Sequence, residues 1–400
     1  MTGLQGWLRA DGRKGIRNTI VVAYLVECAH FVASEIVAGF RGRDVQLIGF
    51  PGCFPNDYAA RMMERLCTHP NVGAVLFVSL GCESFDKVRA SAAVQASGRP
   101  VRTLVIQKAG GTRSTIQAGQ DWVSEALNQV ALVPQVPMAV SDLVIGTVCG
   151  GSDGTSGISG NPAAGRAFDL LVADGAACIF EETGELIGCE EIMATRAVTP
   201  ELGQVLRDSV QKAERYYATL GYGSFAAGNA AGGLSTIEEK SLGAYVKSGE
   251  SPISGLIKPG DIPPRGGLYL MDVVPDGEVR FGFPNISDNA EIVEMIASGA
   301  HLTLFVTGRG SVVGSAISPV IKICANPDTY RALSDDMDVN AGDIIEGLRS
   351  IDEVGHEIRD RVLAVAGGEQ TKSEGLGHRE FILTYKSFDP IGPACLPRTA

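Results

Sequence analysis

Glu181, Glu182, Glu185, Glu190 and Glu191 fall within eleven residues, directly after the apolar run Ala176 to Phe180. That run reads as a buried strand, so the carboxylates gather at a strand end, where they suit a metal site or acid/base chemistry. The plainer alternative is an exposed acidic helix start. A second stretch, Cys149 to Pro162, lies between a predicted strand, Leu143 to Val148, and a predicted helix, Ala163 to Ala173. Its five glycines permit sharp turns, and Ser152, Asp153, Ser156, Ser159 and Asn161 supply polar groups. Strand, glycine-rich loop and helix N-terminus together form an anion-binding arrangement, with Asn161 expected as N-cap and Pro162 in the first turn. The alternative is a tight connection that binds nothing. Gly150 to Gly154 also matches G-x-S-x-G, which makes Ser152 the nucleophile of an alternative serine hydrolase, with His301 or His356 as base.

Other stretches add charge. Arg309 sits between glycines in Thr307-Gly308-Arg309-Gly310-Ser311 and suits a carboxylate fork. Arg9, Arg13, Lys14 and Arg17 precede the predicted strand Thr19 to Val26, where they bind an anion or form a solvated turn. Gly228 to Gly243 runs from glycines into a capping-box pattern, Ser235 to Glu238. Gly308, Gly310 and Gly314 do not have dinucleotide-fingerprint spacing, and there is no P-loop, so no nucleotide is expected.

The elements that must position these groups alternate. Helical patterns (Phe31 to Phe40, Asn56 to Cys67, Phe85 to Ala96, Thr112 to Val130) follow extended ones (Thr19 to Val26, Val45 to Phe50, Ala74 to Leu80, Arg102 to Gln107). Such alternation predicts parallel sheets flanked by helices, with ligands beyond the strands' carboxyl ends. Loops Phe50 to Cys53, Ser79 to Glu83 and Lys108 to Thr112 stand at such ends. Pro134 and Pro137 mark a linker. The expectation is an α/β protein of two domains, 1–133 and 141–400, joined by 134–140, each a mostly parallel sheet. In the second, helices are expected at Pro200 to Leu220, around Ala290 to Ala297 and at Asp343 to Ala366. Its strands are expected at Gly267 to Val273, His301 to Val306 and Val320 to Ala325, with a flexible stretch at Ser251 to Pro264.

Composition excludes several classes. The formal charge is −12, with no basic run, which argues against nucleic acid and anionic membrane as partners. No apolar stretch reaches the ~18 residues of a membrane span. Met1 to Arg17 is too polar for a signal peptide. The nine cysteines are odd in number and form no C-x-x-C pair, which points to reduced thiols in a cytoplasm, most of them small core residues.

Taken in order, these stretches resemble the altronate/galactarate dehydratase family. The resemblance is carried by Asp11-Gly12-Arg13 with Arg17-Asn18, Leu80-Gly81-Cys82-Glu83, Gln107 with Gly110-Gly111-Thr112, and Cys149 to Gly154 with Ser156-Gly157 and Asn161-Pro162. It continues through Glu182-Thr183-Gly184-Glu185, Gly228-Asn229, Gly232-Gly233-Leu234, Glu239 to Gly243 and Thr307 to Gly310. It implies a lyase that removes water from a sugar acid or related 2-hydroxy acid to give a 2-keto-3-deoxy acid. The implied cofactor is a divalent metal, Fe2+ or Mn2+, with Mg2+ as the other choice. A related branch, the sulfolactate sulfo-lyase large subunit, expels sulfite instead. On this reading Glu182, Glu185 and Cys149 hold the metal, and Lys240, Glu239 and Asp153 are catalytic. Arg309, Ser152, Ser156, Asn161, Asn229, Thr307 and Arg17 bind substrate. Where the altronate branch has a histidine with G-C-G, this chain has Pro51-Gly52-Cys53-Phe54; where it has Glu-His, this chain has Glu190-Glu191. Family dehydratases also carry a small β-rich N-terminal domain, so a separate small β-rich subunit is expected here, in a homo-oligomer. The alternatives are a carbon–sulfur lyase, the serine hydrolase, and a non-catalytic carboxylate-binding module.

Overall fold

The computed structural model describes residues 3–220, 225–278 and 287–386; Cys395 lies outside them. The first domain is built on four parallel strands in the order Val45–Gly49, Thr19–Tyr24, Val72–Ser79, Val101–Val105. Every residue of Val72–Ser79 is buried, as a central strand covered on both faces requires. Helices His30–Ala38, Asp57–Cys67 and Lys87–Ala96 connect these strands, and Thr112–Val130 follows the last of them. Asn56 and Asp86 start two of the helices by accepting the amides of Ala59 and Arg89, each at 2.9 Å.

The second domain holds seven parallel strands. Their order is Ile253–Ile257, Gly267–Met271, Ala177–Phe180, Val144–Cys149, Leu302–Thr307, Val320–Cys324, Val339–Asn340. From Val144–Cys149 the chain first builds outward on one side and then returns to build on the other. The loops after Val144–Cys149 and Leu302–Thr307 therefore diverge at a switch point, where such sheets open a crevice. One buried cluster joins the two domains: Phe50 and Met62 of the first share it with Met271, Ile292 and Phe305 of the second.

Several expected boundaries shift. The opening and the linker are not loose: Gln5–Leu8 pairs antiparallel with Lys14–Gly15 and with Gln135–Pro137. The stretch expected to be flexible contains the strand Ile253–Ile257. The helix expected over Asp343 to Ala366 divides into a short turn, Ala341–Ile344, and Ile351–Ala366, because Ser350 and Glu353 cap the latter reciprocally. Among the described residues no helix is long and apolar enough to cross a membrane.

Candidate active site

Two neighbouring strands of the large sheet end side by side. Val144–Cys149 delivers Cys149. Ala177–Phe180 delivers Glu181 and Glu182, followed by the turn Thr183–Leu186 with Glu185. Glu182 has φ 72°, the only non-glycine residue with positive φ among those described. Such a conformation costs on the order of 1–3 kcal/mol and persists only where surrounding contacts hold it. Here they do: the Cys149 amide donates to Glu182 Oε2 at 3.1 Å, and the Cys149 thiol lies 3.2 Å from Glu182 Oε1 and 2.8 Å from Glu185 Oε2.

A helix crosses over these groups. Ile237–Tyr245 carries Lys240, and its continuation Val246–Ser248 carries Lys247. Lys240 ion-pairs with Glu185, and Lys247 with Glu182; Lys247 also lies 3.9 Å from Glu185. All five residues are no more than 8% exposed. Two carboxylates thus face two ammonium groups inside the protein, where removing a single partner would be costly.

The pairing sorts the titrations. Burial, with Glu185 nearby, pushes Glu182 up to about 7. Burial alone would raise Glu185 too, but Lys240 and Lys247 outweigh it and hold that carboxyl below its usual range. Burial works against the charge on Lys240 and Lys247; their anionic neighbours, Glu185 foremost for Lys240, prevail and keep both protonated. Burial, then Glu182 and Glu185, drive the Cys149 thiol upward. Asp288, half-buried at the start of helix Asp288–Ala297, is lifted to about 6 by burial and by Glu185.

A cavity of about 290 Å³ opens beside this cluster, lined in part by Ser152, Asp153, Ser156, Asn161, Glu239 and Lys240. The glycine-rich loop does not offer the expected backbone cradle, because it spends many of its amides internally. Gly150 donates to Val306 O, Gly154 to Gly232 O, Asp153 to Ser156 Oγ, and Thr155 to Asp153 Oδ1. What remains for a ligand is side chains. Asn161 is not the N-cap: the helix runs Gly160–Ala173, and the Asn161 amide donates to Gly243 O at 2.8 Å, leaving its buried Oδ1 without a partner. Likewise Thr236, not Ser235, caps the next helix by accepting the Glu239 amide.

The remaining sequence-predicted residues divide into two groups, and Asn326, which the sequence did not single out, joins the first. Asn229 donates to Ser152 O at 3.3 Å, Thr307 to Gly151 O at 3.3 Å, and Asn326 to Asp153 Oδ2 at 3.1 Å, so these groups fix the loop's shape. Arg309 is exposed and donates to Gly228 O, clasping the two glycine loops together. Glu239 is exposed, and Ser235 holds its carboxyl low, which suits it poorly to proton abstraction. Arg17 is engaged elsewhere: it pairs with Glu374 at 2.7 Å and donates to Val365 O. Of the five clustered glutamates, Glu181, Glu182 and Glu185 are buried and Glu190 is half-buried, whereas Glu191 is exposed beside Arg207. Ser152 Oγ lies 3.4 Å from the Cys149 sulfur, but no histidine serves it. His301 is bound to the Val144 amide and Lys14 O, and His356 to Asp352 O. The hydrolase alternative therefore has no base.

Residues 6–131 match the family domain described as D-galactarate dehydratase/altronate hydrolase, second domain, and residues 140–388 match D-galactarate/altronate dehydratase, C-terminal. The chain belongs to the D-galactarate/altronate dehydratase family. The (2R)-sulfolactate sulfo-lyase subunit beta of Chromohalobacter salexigens is 31% identical over 95% of this chain and 96% of its own length. Altronate dehydratase of Bacillus subtilis is 28% identical over 95% of this chain and 77% of its own length. Galactarate dehydratase (L-threo-forming) of Escherichia coli is 31% identical over 78% of this chain and 59% of its own length. Membership makes the chain an enzyme of the lyase class.

For this family a divalent metal is the expected cofactor, and the donor set fits one by type and spacing. The ligand atoms of Cys149, Glu182 and Glu185 lie within 4.8 Å of one another, all buried. A cation there would share both carboxylates with Lys240 and Lys247. Sequence reasoning missed Lys247 and Asp288. The spacing of Lys240 and Lys247, seven residues or about two helical turns, placed both on one face and was the available signal.

Proposed function

We propose that the chain removes water from a sugar acid, giving a 2-keto-3-deoxy acid. One observation carries the reading: Lys240 both lines the cavity and pairs with Glu185 in the buried cluster. Loss of the proton beside a carboxylate creates an enediolate, and the enzyme must stabilise that charge in place. Lys240, kept protonated by Glu185, stands where the substrate carboxylate binds and bears the charge as it develops. Ser152 and Ser156 hydroxyls orient the carboxylate, and Asn161 Oδ1 accepts from a substrate hydroxyl. Asp288, lifted to about 6 and half-buried, takes the proton; a base works best with a pKa close to the working pH. Cys149, Glu182 and Glu185 are the residues that would hold Fe2+, Mn2+ or Mg2+, which when bound supplies a Lewis acid for carboxylate and hydroxyl oxygens.

A second reading replaces hydroxide by sulfite as leaving group, favoured by the near-complete overlap with the sulfo-lyase subunit. That relative's being a subunit also supports a separate small partner chain. The test is to incubate the protein with altronate, galactarate and sulfolactate, with and without chelator, and to follow 2-keto acid and sulfite separately. Sulfite release would select the second reading. Keto acid from a sugar acid selects the first, with Asp288→Asn expected to lower kcat at least a hundredfold at similar KM. Tight binding of all three acids without turnover, with a small partner subunit supplied, would leave only a binding module.

A further inference from the structure

Eight cysteines lie among the described residues, and five of them (Cys67, Cys149, Cys178, Cys189 and Cys324) are buried. The three exposed ones share one place in the fold. Cys28 follows the strand Thr19–Tyr24, Cys53 follows Val45–Gly49, and Cys82 follows Val72–Ser79. These are three adjacent strands of the first sheet, with Thr19–Tyr24 in the middle. All three thiols therefore stand on the carboxyl-end rim, the edge at which parallel sheets bind ligands. Cysteine is among the most buried residue types. Three exposed together at one sheet end require a reason.

The rim is fixed rather than loose. The Glu27 amide donates to Pro51 O at 3.1 Å, tying the Cys28 turn to the Cys53 loop. The Ser84 amide donates to Cys53 O at 2.8 Å, tying the Cys53 loop to the Cys82 loop. Glu83 is buried beneath; its carboxylate accepts from Ser79 Oγ and from the Gly81 amide at 2.8 Å. Gly81 has φ 128°, so the chain turns there in a way that other residues rarely adopt and presents Cys82 at the surface.

Spacing selects the ligand. Among the described residues these thiols belong to no group of three or more whose ligand atoms lie within 4.8 Å of one another, so the three are not set around a single ion. Adjacent strands lie about 4.8 Å apart, so the outer two strand ends stand roughly 10 Å apart at the backbone. A four-iron cluster with its cysteine arms spans such a gap. We propose that Cys28, Cys53 and Cys82 ligate a cubane iron–sulfur cluster, thiolate being the usual ligand of such clusters. With three thiolates, one iron keeps an open position for water or for an oxygen of a small hydroxy acid. The cluster is received preformed by ligand exchange: each cysteine sulfur bonds an iron as that iron's bond to a donor thiolate breaks, and the cysteine proton leaves on the departing thiol, so no electron changes hands.

The test uses the full chain, purified without oxygen and incubated with a preformed four-iron cluster carrying small thiolate ligands, then desalted. A broad visible absorption is expected, with iron and acid-labile sulfide retained in equal amounts. Cys28→Ser, Cys53→Ser and Cys82→Ser should each lose most of it while unfolding at the temperature of the untreated parent. Glu182→Gln, at the other site, should keep it. Alkylation read by mass spectrometry should modify the three thiols before reconstitution and spare them afterwards. Iron retained without sulfide, full alkylation after reconstitution, or undiminished absorption in the three serine variants would each overturn the assignment.

Discussion

Lys247 and Glu182 are each enclosed, at 4% and 6% exposure, and each is the other's ion-pair partner. Breaking a buried pair from one side leaves an uncompensated charge or forces a proton onto it, which costs about 3–5 kcal/mol. Lys247→Met is accordingly expected to lose that much in denaturant unfolding at neutral pH. Adding Glu182→Gln removes the orphaned charge and should recover most of the loss. If the two changes instead add, the pair is not coupled as described. The carboxylate half of this arrangement was legible, because acids directly after an apolar run share one strand end, although Glu191 of the same run proved exposed. The ammonium half was only partly so. Lys240 stood in a recognisable motif, but Lys247 lies past the apparent end of it, where the helix tightens into Val246–Ser248. Asp288 could not be read at all, since what raises it is burial and the charge of Glu185, about a hundred residues earlier.

At the scale of elements, helix Gly160–Ala173 sets where Lys247 stands. A Cβ at Gly165 would lie 2.1 Å from Val246 O and 2.8 Å from the Gly249 amide, so the helix and the Lys247 turn touch backbone to backbone. Alanine normally improves a helix interior by roughly 0.5–1 kcal/mol over glycine. Here that gain meets an overlap that only backbone movement relieves, at about 1–3 kcal/mol. Gly165→Ala should therefore lower the melting temperature and, by shifting Lys247, reduce turnover at least tenfold. Gly375→Ala, with nothing within 4 Å of its added Cβ, serves as the control and should do neither. Equal behaviour of the two variants would refute the positioning role. The alternation of apolar runs and helical periods made the two parallel sheets readable, because period and length are local properties. The strands Gln5–Leu8 and Gln135–Pro137 escaped because each is short and gains its pairing from a segment about 130 residues away. Residue type alone marks Gly165 as a weak helix position; the fold makes it the contact.

Across the whole molecule, His301 joins the domains. Its Nδ1 accepts the Val144 amide at 3.0 Å, and its Nε2–H donates to Lys14 O at 2.9 Å. Asn71 of the first domain donates to its carbonyl at 3.1 Å. Both ring nitrogens are thus committed to the neutral form, and protonating Nδ1 would set a proton against the Val144 amide. Burial, with Arg13 adding repulsion and Asp142 opposing it, lowers the ring to about 4, whereas an unfolded histidine titrates near 6.5. The folded pKa is the lower one, so the unfolded chain binds the extra proton first. His301 therefore stabilises the fold fully above pH 6.5, and that stability drains away as pH falls toward 4, by about 3 kcal/mol when complete. His69, its ring 6.0 Å away and also held neutral by burial, acts in the same direction. Carboxylates titrate over part of the same range, so the informative quantity is a difference between proteins. His301→Asn, which can still accept an amide and donate to a carbonyl, should be somewhat less stable than the parent at pH 7.5. It should then lose less on going to pH 4.5 in urea unfolding, so that the two stability curves converge on acidification. Parallel curves across that window would show that the histidine does not couple protonation to the joint between the domains.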